Sequence, residues 1–155
     1  MRLFSGSPHD TKKMGEDIGR LLDLKDVVVL IGELGVGKTT LIQGICKGLN
    51  VKEDVLSPSF IIIGRYSGKL PVYHIDLYRL NKLEEMLDLG IEEIFYEDGV
   101  NLIEWGEKAR EILPQEYLEI AITQDEENSI IELIPHGGRF CKLIKMLKYN
   151  ACAGN

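Results

Sequence analysis

A chain of 155 residues and 17.5 kDa, 45% hydrophobic and 28% charged, matches one domain able to bury a real core, and it excludes wholesale disorder. A formal charge of −7 and a pI near 5.0 exclude a protein that grips nucleic acid over its whole surface, because phosphate binding needs clustered Lys and Arg. The longest apolar run, Val27–Ile31, falls far short of the roughly 20 residues of a membrane span, and Met1–Ser7 lacks the apolar stretch of a secretory signal. These features predict a cytoplasmic protein with no membrane partner. Cys46, Cys141 and Cys152 have no CxxC spacing and predict reduced thiols, neither a disulfide framework nor a zinc site.

In chain order, a short strand at Leu3–Phe4 leads to Ser7-Pro8, the signature of an N-cap followed by proline at the first helical position. Met14, Ile18, Leu21 and Leu22 extend that helix from Pro8 to Leu22. Asp26-Val27-Val28-Val29-Leu30-Ile31 is a continuous, mostly β-branched apolar segment, as in a strand buried on both faces of a parallel sheet. A glycine-rich turn then opens a helix over 38–49, where Gly44 and Gly48 cost ~1 kcal/mol each against alanine and imply close packing.

Phe60–Tyr66 and Leu70–Ile75 read as a hairpin about Ser67-Gly68-Lys69, and Leu83–Leu89 as a helix stopped by Gly90. Val100–Glu104 is a strand, Gly106–Leu113 a helix closed by Pro114, and Tyr117–Thr123 with Ser129–Ile134 a second hairpin. Phe140, Leu143, Ile144 and Leu147 mark the buried face of a last helix. Arg139, Lys142, Lys145 and Lys148 run along its other side. The expected fold is α/β and P-loop NTPase-like, a mostly parallel central sheet with antiparallel additions and flanking helices. It forms a single domain over 1–150 with a flexible tail at 151–155.

One segment carries chemistry. Gly32-Glu33-Leu34-Gly35-Val36-Gly37-Lys38-Thr39 satisfies the GxxxxGK[ST] pattern, preceded by a buried strand and followed by a helix. Its glycines let backbone N–H groups turn inward on phosphate oxygens, and the helix N-terminus adds its positive dipole end. Gly32, Leu34, Gly35, Val36 and Gly37 form the cradle. Lys38 supplies charge to the β- and γ-phosphates, Thr39 a hydroxyl for Mg²⁺, and Thr40 a further phosphate contact. Such a site also needs carboxylates at the carboxyl ends of neighbouring strands, and Asp76 and Glu104 end two of them. Either acid can ligate Mg²⁺ while the other orients and deprotonates water.

Gly32–Thr40, Ser57-Pro58-Ser59-Phe60, His74-Ile75-Asp76-Leu77-Tyr78-Arg79-Leu80 and Glu104-Trp105 together resemble the P-loop ATPase family of bacterial tRNA threonylcarbamoyladenosine biosynthesis, the TsaE family. The resemblance implies an ATPase that uses ATP and Mg²⁺ and supports partner proteins that transfer a threonylcarbamoyl group to tRNA. Contact with tRNA would be indirect. It further implies that Lys38, Asp76 and Glu104 form the catalytic set, that Trp105 lies close to the nucleotide, and that Ser59 brings a switch-loop hydroxyl near the metal. Ser59 stands where that family usually has threonine, and Gly106 where proline often follows the tryptophan.

The rival readings keep the phosphate site and change its use. They are a small P-loop kinase or a nucleotide-gated binding module with negligible turnover. A GTPase is disfavoured because no Asn-Lys-x-Asp string occurs. Arg79 reads either as a transition-state charge stabiliser or, preferably, as an ion-pair partner of Glu84 or Glu85. The charge is uneven: residues 84–132 carry 16 acidic groups against 2 basic ones, whereas residues 1–83 carry 12 basic against 9 acidic.

Overall fold

Val27-Val28-Val29-Leu30-Ile31 forms the central strand of the sheet because it offers apolar side chains to both faces. The computed structural model describes residues 1–153, and the strands are β1 Arg2–Ser5, β2 Val27–Ile31, β3 Ile63–Ser67, β4 Pro71–Asp76, β5 Val100–Glu104, β6 Tyr117–Gln124 and β7 Ser129–His136. The helices are α1 Pro8–Gly19, α2 Lys38–Gly48, α3 Leu83–Asp88, α4 Ile91–Ile94 and α5 Gly138–Ala153. One sheet runs β1-β7-β6-β2-β5-β4-β3. Its four middle strands, β6, β2, β5 and β4, are parallel, and antiparallel strands extend both edges.

Alternation along β2 divides the core. Val28 and Leu30 pack with Ile18 of α1, Leu41 and Ile45 of α2, and Phe140 of α5. Val27 and Val29 face the other way, toward Met86 of α3 and Ile91 and Ile94 of α4. Each such side chain, fully withdrawn from water, contributes about 1.5–3 kcal/mol.

Helix α1 begins as its residues predict: Pro8 follows the cap, and the Ser7 hydroxyl accepts from the Asp10 N–H at 3.1 Å. It stops at Gly19, short of Leu22, because the chain turns there toward β2. Gly44 and Gly48 do serve close packing. A Cβ at Gly44 would meet the Lys12 carbonyl oxygen at 2.1 Å, and one at Gly48 the Glu16 carbonyl oxygen at 2.3 Å. Gly15 and Gly19 answer them from α1, so the two backbones touch.

Four further expectations are corrected. Phe60–Ile62 is not strand: Ile62 takes a left-handed φ of 68°, its N–H donates to the Pro58 carbonyl at 2.6 Å, and β3 starts only at Ile63. Helix formation after Trp105 is confined to a 3₁₀ turn, Gly106–Ala109, since Trp105 itself enters at φ 59°. Arg139 leaves the basic stripe, folding inward to Asp26 at 2.6 Å and the Leu21 carbonyl at 2.8 Å. Finally, α5 continues to Ala153, so the expected tail is helical over its first three residues, while Gly154 and Asn155 lie outside the described residues. Among the described residues, no helix is long and apolar enough to cross a membrane.

Candidate functional site: a phosphate loop facing two buried carboxylates

The chain leaves β2 into the glycine loop, where Gly35 and Gly37 take positive φ values of 76° and 113° that L side chains rarely adopt. Gly37 caps α2, whose free N–H groups therefore point back into the loop. Lys38, the first helical residue, is 5% exposed. Its Nζ donates to the carbonyls of Gly32 at 2.6 Å and Glu33 at 2.7 Å and lies 4.3 Å from the Trp105 ring centre. Burial pushes its pKa below the usual lysine value, and the nearby carboxylates of Glu104, Glu107 and Asp76 oppose that shift.

Opposite the loop, parallel pairing of β4 with β5 sets Asp76 beside Glu104. The two side chains are 5% and 3% exposed. The Thr39 hydroxyl donates to Glu104 Oε1 at 2.7 Å, and His74 Nε2 lies 2.9 Å from Glu104 Oε2. Asp76 Oδ2 accepts from the Ser57 hydroxyl at 2.8 Å, and its Oδ1 accepts from the Tyr78 backbone N–H at 2.9 Å. Thr39, Asp76 and Glu104 thus present oxygen donors only, the chemistry a small hard cation such as Mg²⁺ prefers.

The cleft between these groups has a volume of about 400 Å³. Leu34, Gly35, Gly37, Lys38, Thr39 and Thr40 line one side, and Ser59, Asp76, Glu104 and Trp105 the other. Gly32 contributes the carbonyl that holds Lys38, and Val36 sits on a second cleft of about 260 Å³. That second cleft shares Gly35, Gly37 and Thr40 with the first and is walled by Ser7, Thr11, Gln124 and Asn128. A larger hollow of about 720 Å³ beside α1 and α2 contains none of the predicted site residues. Its walls are of mixed charge, among them Lys12, Lys13, Glu16 and Asp17.

Ser57, not Ser59, touches Asp76; both hydroxyls line the same cleft. Arg79 makes no ion pair with Glu84 or Glu85: its guanidinium lies over the Phe60 ring, 4.4 Å from the centre, at the wall of the cleft. The residues that sequence reasoning missed are Ser57, His74, Tyr78 and the hydroxyl and amide walls of the second cleft. The alternation His74-Ile75-Asp76 was the available signal for His74, since residues two apart on a strand share a face.

The family model described as threonylcarbamoyl adenosine biosynthesis protein TsaE matches residues 5–131. The chain belongs to the TsaE family. The TsaE protein of Treponema pallidum is 43% identical over 122 residues, 79% of this chain and 90% of that protein. The Bacillus subtilis TsaE protein is 42% identical over 127 residues, 80% of this chain and 79% of its own length. Each is named a tRNA threonylcarbamoyladenosine biosynthesis protein. The crystal structure of Bacillus subtilis YdiB superposes with a TM-score of 0.85 at 33% identity, covering 97% of this chain and 95% of that one. The TsaE model ends within β7, so α5 lies beyond the matched segment, whereas all of the predicted site residues fall inside it.

Proposed function

We propose that this protein binds ATP with Mg²⁺ and hydrolyses it as a cytoplasmic subunit supporting tRNA threonylcarbamoyladenosine modification. The observation that carries the reading is the pairing of Thr39 at the start of α2 with Glu104 at the end of β5, beside Lys38 and Asp76. Phosphate oxygens would replace the Gly32 and Glu33 carbonyls as partners of Lys38, which also relieves the cost of holding its charge in a buried place. Thr39 and Asp76 would hold Mg²⁺, with Glu104 adding to the hold through water, and the ion's chemistry is to offset charge on the β- and γ-phosphates. The second cleft, continuous with the glycine loop and walled by Ser7, Thr11 and Asn128, is the place for the ribose and base.

In hydrolysis, a water oxygen bonds to the γ-phosphorus while the bond from that phosphorus to the β–γ bridging oxygen breaks. ADP departs with the electron pair. Glu104, held beside Thr39, accepts the proton of the attacking water and passes it to the released phosphate. Burial of both carboxylates keeps bulk water from competing for those positions.

The kinase alternative finds little support among the arginines. Arg2, Arg20, Arg110 and Arg139 are engaged with Glu132, Glu16, Glu119 and Asp26, and Arg65 lies over Tyr73. Only Arg79 lines the cleft, too few for an acceptor-phosphate clamp. The partners are the threonylcarbamoyl-transfer proteins, with tRNA reached through them; the acidic stretch 84–132 favours a basic protein surface over RNA.

Two measurements test the reading. Trp105 is the only tryptophan, so ATP with Mg²⁺ is expected to change its emission saturably. A pull-down from lysate with ATP and Mg²⁺ is expected to recover the threonylcarbamoyl-transfer proteins. A spectrum indifferent to nucleotide, or recovery of a phosphorylated metabolite without those proteins, would overturn it.

A further inference from the structure

We infer that His74 is a positioning residue: it holds one oxygen of Glu104 so that the carboxylate stays aimed when Thr39 turns its hydroxyl away to the nucleotide. The inference rests on the ATPase reading above.

The two oxygens of Glu104 are held separately, Oε1 by the Thr39 hydroxyl and Oε2 by His74 Nε2. Thr39 stands on the phosphate loop and changes partners once phosphate arrives. His74 cannot follow it. It is a β4 residue, wholly buried, paired in register with Gly64 of β3 on one side and Leu102 of β5 on the other. A hydrogen bond from a strand interior costs little further ordering on binding, because the side chain is already fixed by its neighbours.

The ring's second nitrogen decides how it can act. Nδ1 is buried and has no hydrogen-bond partner among the described residues. A proton there would be a buried donor without an acceptor, which costs more than a bare lone pair on an imidazole nitrogen. The ring therefore carries its proton on Nε2 and donates it to Glu104 Oε2, leaving Oε1 as the oxygen that faces the cleft. A histidine serving only as core filling has no reason to direct its one partnered nitrogen at a carboxylate that is itself 3% exposed. With Oε2 committed, Glu104 is left one acceptor oriented toward Thr39 and the incoming water.

The test compares the parent protein with His74→Leu, which keeps the volume and removes the donor, and His74→Gln, whose amide N–H restores a donor in the place of Nε2. Three readings are taken: phosphate release from ATP, ADP affinity without Mg²⁺ by calorimetry, and the Mg²⁺ concentration needed to saturate the ADP complex. His74→Leu is expected to lower kcat by about 10- to 100-fold and to raise the Mg²⁺ requirement by about 10-fold. ADP affinity without Mg²⁺ and the KM for ATP should stay within about twofold, since the glycine loop is untouched. His74→Gln should recover most of both losses.

Equal losses in His74→Leu and His74→Gln would assign His74 to packing and overturn the inference. So would a His74→Leu protein matching the parent in both kcat and Mg²⁺ requirement, or a fall in metal-free ADP affinity as large as the fall in turnover. Should the parent itself release no phosphate, the ATPase reading fails on its own account, and the Mg²⁺ titration still decides for or against His74.

Discussion

Lys38→Ala is expected to lower ATP hydrolysis by about 10²- to 10³-fold, the loss typical of removing one preorganised charge aimed at a transferring group. Arg79, the other cation lining the cleft, stands over the Phe60 ring, whereas Lys38 is held at the glycine loop itself by the Gly32 and Glu33 carbonyls. The same substitution should leave the nucleotide-free protein as stable as the parent or more so. Burial lowers the pKa of Lys38, which means folding disfavours its charged form. The sign follows: an unfolded lysine binds its proton more tightly than the folded one, so the stability penalty is fully present below the folded pKa. It fades as pH rises from the folded pKa toward the ordinary value of 10.5. Thermal melting of parent and variant without nucleotide, set beside phosphate release, checks both halves. A large drop in melting temperature would mean that Lys38 braces the loop and does not wait for phosphate.

The second large effect is structural. Gly44→Ala should destabilise the protein by about 2–3 kcal/mol, although alanine is the better helix former by ~1 kcal/mol. The new methyl would sit 2.1 Å from the Lys12 carbonyl oxygen, and that oxygen belongs to helix backbone that cannot retreat without parting α1 from α2. At this chain length, 2–3 kcal/mol corresponds to a fall in melting temperature of roughly 4–12 °C. Gly138→Ala provides the control, because its Cβ would meet nothing within 4 Å. It is expected to be neutral or slightly stabilising. A Gly44→Ala protein melting with the parent would show that the two helices are not held at this spacing.

The parts of the fold legible in the sequence are those where a local pattern and a tertiary demand agree. Val100–Glu104 matches its strand residue for residue and the Asp26–Ile31 run starts one residue early, because a short, largely apolar run between turns has few options other than the middle of a parallel sheet. Phe60–Ile62 is just as apolar and fails: Pro58 starts a turn, Ile62 is left-handed, and Phe60 and Ile61 end 83% and 70% exposed. They stand outside the core, Phe60 beneath the Arg79 guanidinium.

The helix expected after Trp105 shortens for a steric reason. A Cβ at Gly106 would meet Val29 Cγ1 at 2.1 Å, so glycine lets the turn lie directly on β2.

At the site, the phosphate loop was legible because its spacing carries its own mechanism, and Asp76 and Glu104 because they end neighbouring strands. Their partners were not. Ser57 and Tyr78 become partners of Asp76 only through the folding of the loops around β4, and His74, which alternation puts on the face of Asp76, meets Glu104 only through strand register. The walls of the second cleft come from the N-terminal turn and the β6–β7 turn, 113 or more residues apart in the case of Thr11 and Gln124.

The central claim is that Glu104 acts on water at an ATP site, and Glu104→Gln tests it most directly. Phosphate release and ATP binding are measured on the same preparations, with the threonylcarbamoyl-transfer partners present. The account predicts turnover lower by about 10²- to 10⁴-fold, the range of a lost general base, with ATP affinity within about threefold of the parent. Turnover of Glu104→Gln equal to that of a hydrolysing parent, or no ATP hydrolysis by the parent with its partners, would contradict it.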